Sequence, residues 1–235
     1  MEVAAAPPQS AFMTRRTSWF LLVLLVPAAQ PAELPAITVH LFDLAGAPEG
    51  DLVKAMDITS GIFANAGVPL KWVRQPAPIA KPGQGQQFRP NATPAEVSIR
   101  LVPKHVSDLL VHPGAQWLAF AYPVGPNDYR YLATLFYDRV ELAAKSLYDV
   151  SVPVLLGYLM AHELGHLLLG PDAHARTTIM ACPWDTTQLR VPRRGQLRFS
   201  RHQAAKLRSN VANRIEAADS KGSPDGPRAQ PAGVP

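Results

Sequence analysis

Apolar and polar positions alternate along Ile37 to Phe42 (ITVHLF), the period of a half-buried strand. From Asp51 to Ala66 the period changes. Leu52, Ala55, Met56, Ile58, Thr59, Ile62 and Phe63 recur at helical spacing, and Gly67 ends the segment. Val68 to Val73 (VPLKWV) returns to a strand pattern, so the chain opens strand–helix–strand and predicts a mixed α/β layer. Further strands are predicted at Val97 to Val102 (VSIRLV), Trp117 to Tyr122 (WLAFAY) and Tyr131 to Val140 (YLATLFYDRV). The Pro-, Gly- and Gln-rich stretch from Pro76 to Pro94 reads as a surface loop.

The strongest helical signal runs from Val154 to Leu169, with Ser151 as the capping candidate, Pro153 in the first turn, and Gly170 and Pro171 as terminators. Its apolar residues lie nearly all round, which marks a central, buried helix. Ala204, Leu207, Val211 and Ile215 give Ser200 to Ile215 the spacing of a last helix packing on the core. The sum is an α+β domain: a mixed, twisted sheet of about five strands, a central helix and a C-terminal helix.

Composition sets the limits. With 47% hydrophobic and 17% charged residues in 235, the chain can bury one sizeable core and is no disordered polyelectrolyte. Its 24 prolines exclude fibrous and coiled-coil architectures. Arg15 and Arg16, the apolar run Trp19 to Val26 and the small residues Ala28 and Ala29 follow the order of a secretory signal peptide. Residues 1–29 are therefore expected to direct export, to the periplasm or the medium, with Met13 a more ordinary start than Met1. The run is shorter than the ~20 residues that span a bilayer, which makes an uncleaved anchor the lesser reading. Residues 30–214 form the expected domain. Residues 215–235, rich in Pro, Gly, Ser and Ala from about Ala217, form an expected disordered tail. Cys182 is the sole cysteine, so an internal disulfide is excluded and stability rests on packing and a metal.

The net charge of +5 raises the question of an anionic partner, but the charge is segregated. Residues 29–189 are mildly acidic, whereas 190–214 hold Arg190, Arg193, Arg194, Arg198, Arg201, Lys206, Arg208 and Arg214 with no acid. Nucleic-acid binding by the core is not expected. The basic segment is a candidate docking face for an anionic envelope surface, against the alternative of a merely solvated face.

Within the central helix stand His162, Glu163 and His166. Histidines four apart project from one helix face and can hold the same ion. Glu163, set among leucines, is costly to bury unless a cation or hydrogen-bond donors offset it. Shuffling the composition yields His-Glu-x-x-His about 0.006 times, so chance is a weak explanation. Hydrolytic zinc takes three protein ligands and leaves one position for water. The chain break at Gly170 and Pro171 favours His174 as the third, and Asp172 is the alternative, as a ligand or as a partner orienting a ligand histidine.

HELGHLLLGPDAH, followed by Thr178 to Met180 (TIM), resembles the metzincin clan of zinc metalloproteases. ATLFYDRVE followed by HELGHLLLG also resembles small, uncharacterised exported bacterial proteins of metzincin-like type. The resemblance spans roughly residues 37–210 and implies a zincin fold with zinc on His162, His166 and His174. It makes Glu163 the general base, Gly170 the helix-ending glycine, Met180 the turn beneath the metal, and Leu118 to Tyr122 the substrate-binding edge strand. One departure is plain: the clan's spacing is H-E-x-x-H-x-x-G-x-x-H, and here one extra residue stands on each side of the glycine. Met180 is alternatively a core methionine, Cys182 an inert thiol or an inhibitory thiolate, and Tyr122, Tyr137 and Tyr158 are oxyanion-donor candidates. The implied function is an exported zinc endopeptidase acting on peptide or protein substrates. A catalytically inactive zinc-stabilised binding protein and a zinc hydrolase of a non-peptide amide are the alternatives.

Overall fold

The computed structural model describes residues 36–76, 93–111, 117–122, 131–148, 150–182, 184 and 197–222. All belong to one compact unit, Leu34–Pro235. The expected signal segment, most of the Pro76 to Pro94 loop and Arg190 to Arg194 lie outside the described residues.

The sheet has five strands, β1 (Ile37–Asp43), β2 (Leu70–Gln75), β3 (Glu96–Val102), β4 (Ala119–Tyr122) and β5 (Leu132–Phe136), in the order β2-β1-β3-β5-β4. β1 pairs in parallel with β2 and β3, and β3 with β5, while β4 lies antiparallel on β5. Alternation follows the pleat. Ile37, Val39 and Leu41 are buried on one face with Val97, Ile99, Leu101, Ala133 and Leu135. Val102, Phe136 and Phe120 join a smaller cluster with Val106 and Leu44.

Among the helices that join the larger cluster, α1 (Glu49–Asn65) and α4 (Val152–Leu169) lie against each other. They pack at very short range because α4 has a glycine where they cross. A Cβ at Gly157 would stand 2.9 Å from both the Ala55 carbonyl oxygen and the Ile58 Cβ. Thr59 on α1 donates its hydroxyl to the Ala55 oxygen at 2.8 Å and to the Gly157 oxygen at 3.0 Å, tying the backbones together. α4 is long and apolar enough to cross a membrane, yet 83% of it is buried inside the fold. Ser151 occupies its N-cap position without a side-chain capping bond; its carbonyl accepts from Val154 and Leu155 instead.

Two expectations are corrected. The predicted strand Tyr131 to Val140 ends at Phe136, and helix α3 (Tyr137–Ala143) follows, continued by a π turn at Ala144–Tyr148. The ladder to β3 stops at the Val102–Phe136 pair; beyond it Tyr137, Val140, Ala143 and Ala144 are buried at helical spacing, so the period changes mid-segment. Asp138 in the first turn favours the helix electrostatically and accepts from Ser107 of α2 (Lys104–Leu110), an element that its short sequence did not announce. The final helix, α5, spans Arg201–Gly222, so the residues expected to open a disordered tail from about Ala217 are helical through Gly222.

α5 begins with a reciprocal cap: the Ser200 hydroxyl accepts from the Gln203 amide at 3.1 Å, and Gln203 Oε1 accepts from the Ser200 amide at 2.9 Å. The helix then satisfies carbonyls that α1 and α4 leave open at their C-terminal ends. Arg208 donates to the Ala66 oxygen at 2.8 Å, Asn210 to Leu168 at 2.7 Å, and Arg214 to Leu167 at 2.7 Å and Pro94 at 3.3 Å. Arg214 is only 5% exposed, so part of the basic segment serves the interior, while Arg198, Arg201 and Lys206 remain exposed.

Gly157→Ala is expected to lower the unfolding free energy by about 1–3 kcal/mol, because α1 and α4 must separate to admit the methyl group. Urea denaturation of the two proteins measures it, and a wild-type midpoint would contradict the close packing.

Candidate metal centre

His162, Glu163 and His166 lie in the buried middle of α4 and are 6%, 5% and 9% exposed. The helix ends at Gly170, whose φ of 107° lies where other residues are strained. Its amide donates to the His166 oxygen at 3.1 Å, and its own carbonyl accepts from His166 Nδ1 at 3.2 Å. The longer spacing before the glycine is thus accommodated by a turn that holds the His166 ring. The chain then doubles back and brings His174 over His166, Nε2 to Nε2 at 3.0 Å; His162 and His166 approach at the same distance. One nitrogen from each of the three rings falls within 4.8 Å of the other two. Asp172 is exposed and outside this group, so the structure brings His174, not Asp172, to the pair on α4.

The tautomers follow from the partners. A backbone carbonyl can only accept, so the Nδ1 atoms of His162, bonded to the Ile179 oxygen at 2.8 Å, and of His166 carry the hydrogens. In neutral rings both Nε2 atoms then present lone pairs, and these face each other. Such an arrangement is repulsive unless a cation sits among the nitrogens. Tetrahedral zinc with Zn–N bonds of 2.0–2.1 Å would space its nitrogens about 3.3 Å apart, and two of the three pairs here stand at 3.0 Å with all three nitrogens within 4.8 Å. The donor set fits zinc.

Electrostatics agree. Burial pushes the His162 imidazole down to about 4, with the Ile179 bond opposing and the neighbouring histidines adding to the effect. Burial also pushes the Glu163 carboxyl up to about 8. Among the described residues its Oε2 is buried without a hydrogen-bond partner. A cation with bound water at the three nitrogens would offer that oxygen both a charge and a donor.

Met180 lies beneath the helix, fully buried, where a Cβ on Gly165 would stand 3.1 Å from its terminal methyl and 3.2 Å from Phe199. The core placement is realised: Met180 fills the space that Gly165 leaves on α4. Cys182 is outside the histidine group. It is exposed as a residue, but partial shielding of the thiol, and then the Glu163 charge, raise its pKa. An open depression of about 350 Å³ is lined by His174, Ala175, Arg176, Ala181 and Cys182.

Among the tyrosines, Tyr137 is raised to about 12 by burial and by Glu141, Asp51 and Asp43, and faces these acids rather than the histidines. Tyr158 stands edge-on to Trp184, centroids 6.4 Å apart. Tyr122 is in β4, paired with Leu132. Sequence reasoning missed Trp184. Its indole donates to the Ile179 oxygen at 3.2 Å, the same atom that holds His162, and its ring stands perpendicular to His162 with centroids 5.4 Å apart. Nothing in its spacing announced this. Gln203, which reaches the Ala173 oxygen at 3.0 Å, was also missed, although Ser200-x-x-Gln203 is a legible capping box.

The sequence matches no established family profile and no curated protein. Among solved structures, it is similar to the archaemetzincin of Methanopyrus kandleri, with TM-score 0.48 and 16% identity over 80% of this chain and 99% of that one.

Without metal, the two shifted groups give opposite pH slopes. Between about pH 4 and 6.5 the unfolded chain holds a proton at His162 that the native chain lacks, so stability rises with pH there. Between 4.5 and about 8 the native chain holds a proton at Glu163 that the unfolded chain has released, so stability falls with pH. Only the second slope operates above 6.5. Metal-free protein is therefore expected to lose about 1–2 kcal/mol from pH 6.5 to 8, a loss that Glu163→Gln removes. Chemical denaturation in chelator across this range checks it.

Proposed function

We propose that this chain is an exported, metzincin-like zinc endopeptidase, with His162, His166 and His174 as zinc ligands and Glu163 as general base. The convergence of three imidazole nitrogens, two of them with lone pairs turned inward, beside a buried carboxylate whose Oε2 has no partner among the described residues carries the reading. When bound, zinc supplies a Lewis acid for the scissile carbonyl and lowers the pKa of its water to about 7. Glu163, as general base, would accept a proton from the attacking water and pass it to the leaving amine. The apolar wall around Glu163 keeps other water from competing for the carboxylate.

Two features of the chain support a peptide as the substrate. β4 lies at the end of the strand order, antiparallel to β5, and packs against the helix that carries the ligands. An extended segment can add to such an edge by main-chain hydrogen bonds. The open depression beside His174 leaves room for a side chain next to the reacting bond. A purely stabilising zinc site would have no use for the carboxylate at Glu163, which disfavours the inactive binding protein. Export rests on the Arg15 to Val26 segment.

Purified protein is expected to hold one zinc per chain and to cleave a peptide library. Glu163→Gln should retain the metal and lose about 10²–10⁴-fold in rate. His174→Ala should lose the rate and bind zinc more weakly through the two remaining imidazoles, and Asp172→Ala should change neither. Cleavage by Glu163→Gln at the wild-type rate would sink the mechanism. Activity on amide-bearing glycans with none on peptides would move the substrate to the non-peptide class.

A further inference from the structure

Two of the three imidazoles stand on a buried helix whose own hydrogen bonds fix their Cα positions. The third does not. His174 sits in the segment after Gly170, and Pro171, Asp172, His174, Arg176 and Thr177 are exposed. Core packing reaches only its neighbour Ala173, and hydrogen bonds tie the backbone on either side. On the C-terminal side the Ala175 amide donates to the Met180 oxygen at 3.1 Å. On the N-terminal side the tie comes from another element: Gln203 Nε2 donates to the Ala173 oxygen at 3.0 Å.

We propose that Gln203 is a positioning residue for the third ligand, linking the first turn of α5 to the peptide bond that precedes His174. The inference rests on the proposed zinc site. The orientation of the amide is forced by chemistry. The Ser200 N–H needs an acceptor and the Ala173 carbonyl needs a donor, so Oε1 faces Ser200 and Nε2 faces Ala173. Gln203 is 9% exposed, so water is a poor substitute for either bond. The same side chain caps a helix and holds a ligand segment, and α5 is in turn held to α4 through Asn210 and Arg214. The third ligand is thereby referenced to the helix that carries the other two.

Capping and positioning can be separated. Gln203→Glu keeps an oxygen for the Ser200 amide, and glutamate is favoured at this helix position, but an ionised carboxylate has no hydrogen to give the Ala173 carbonyl. Gln203→Met removes both bonds and keeps much of the volume. Zinc affinity, measured by chelator competition, is expected to fall 10–100-fold in both variants, the size typical of partners that orient ligands. In a His174→Ala background neither change should weaken zinc further, because the effect passes through His174. Unchanged affinity in both variants, or an equal further loss without His174, overturns the proposal. A wild-type chain that binds no zinc overturns the metal reading and this inference with it. Should the variants fail to fold, exchange of the wild-type Gln203 side-chain amide decides. Zinc should slow it, since the coupling is reciprocal, and an unchanged rate overturns the proposal.

Discussion

The arrangement of this protein depends on one electrostatic constraint: imidazole nitrogens with their lone pairs directed at a common point, inside a helix with almost no exposed face. Backbone carbonyls fix the direction of two of them. The Ile179 oxygen takes the Nδ1 hydrogen of His162, and the Gly170 oxygen takes that of His166. Neither ring can turn its lone pair away without breaking a bond that has little water to replace it. Repulsion among the nitrogens is thus held in place by the fold, and a cation relieves it.

Much of the remaining architecture supplies the rigidity that this constraint needs. α4 is locked to α1 by the close approach at Gly157 and the two-way bond of Thr59. Met180 and Phe199 fill the space that Gly165 leaves on the histidine-bearing turn of α4. Trp184 shares the Ile179 oxygen with His162 and closes one side of its ring. α5 satisfies the carbonyls at the C-terminal end of α4, where the helix must stop so that the chain can return.

The parts legible in the sequence have local causes. Period distinguished β1 from α1, apolar continuity marked α4 as central, and four-residue spacing put His162 and His166 on one face. Gly170 announced a positive φ, and the chain reversal after it placed His174 ahead of Asp172. The parts that were not legible depend on partners distant in the chain. α3 hid behind a run of strand formers because the end of the β3–β5 ladder, not propensity, terminates β5. Trp184 has no signature at all, since its role is defined by a carbonyl that only the fold brings to it. The arginines of α5 read as surface charge, whereas Arg208 and Arg214 are directed by the open ends of α1 and α4.

The same carbonyl contacts order events during synthesis. A ribosome that has released the chain only through α4 has delivered His162, Glu163 and His166, but the Ala173 tie and the partners of Leu167 and Leu168 lie between residues 203 and 214. Domains consolidate as units once their segments are available. These ties therefore become available only after nearly the whole described chain has emerged. A nascent chain still in transit carries the sequence motif without these ties.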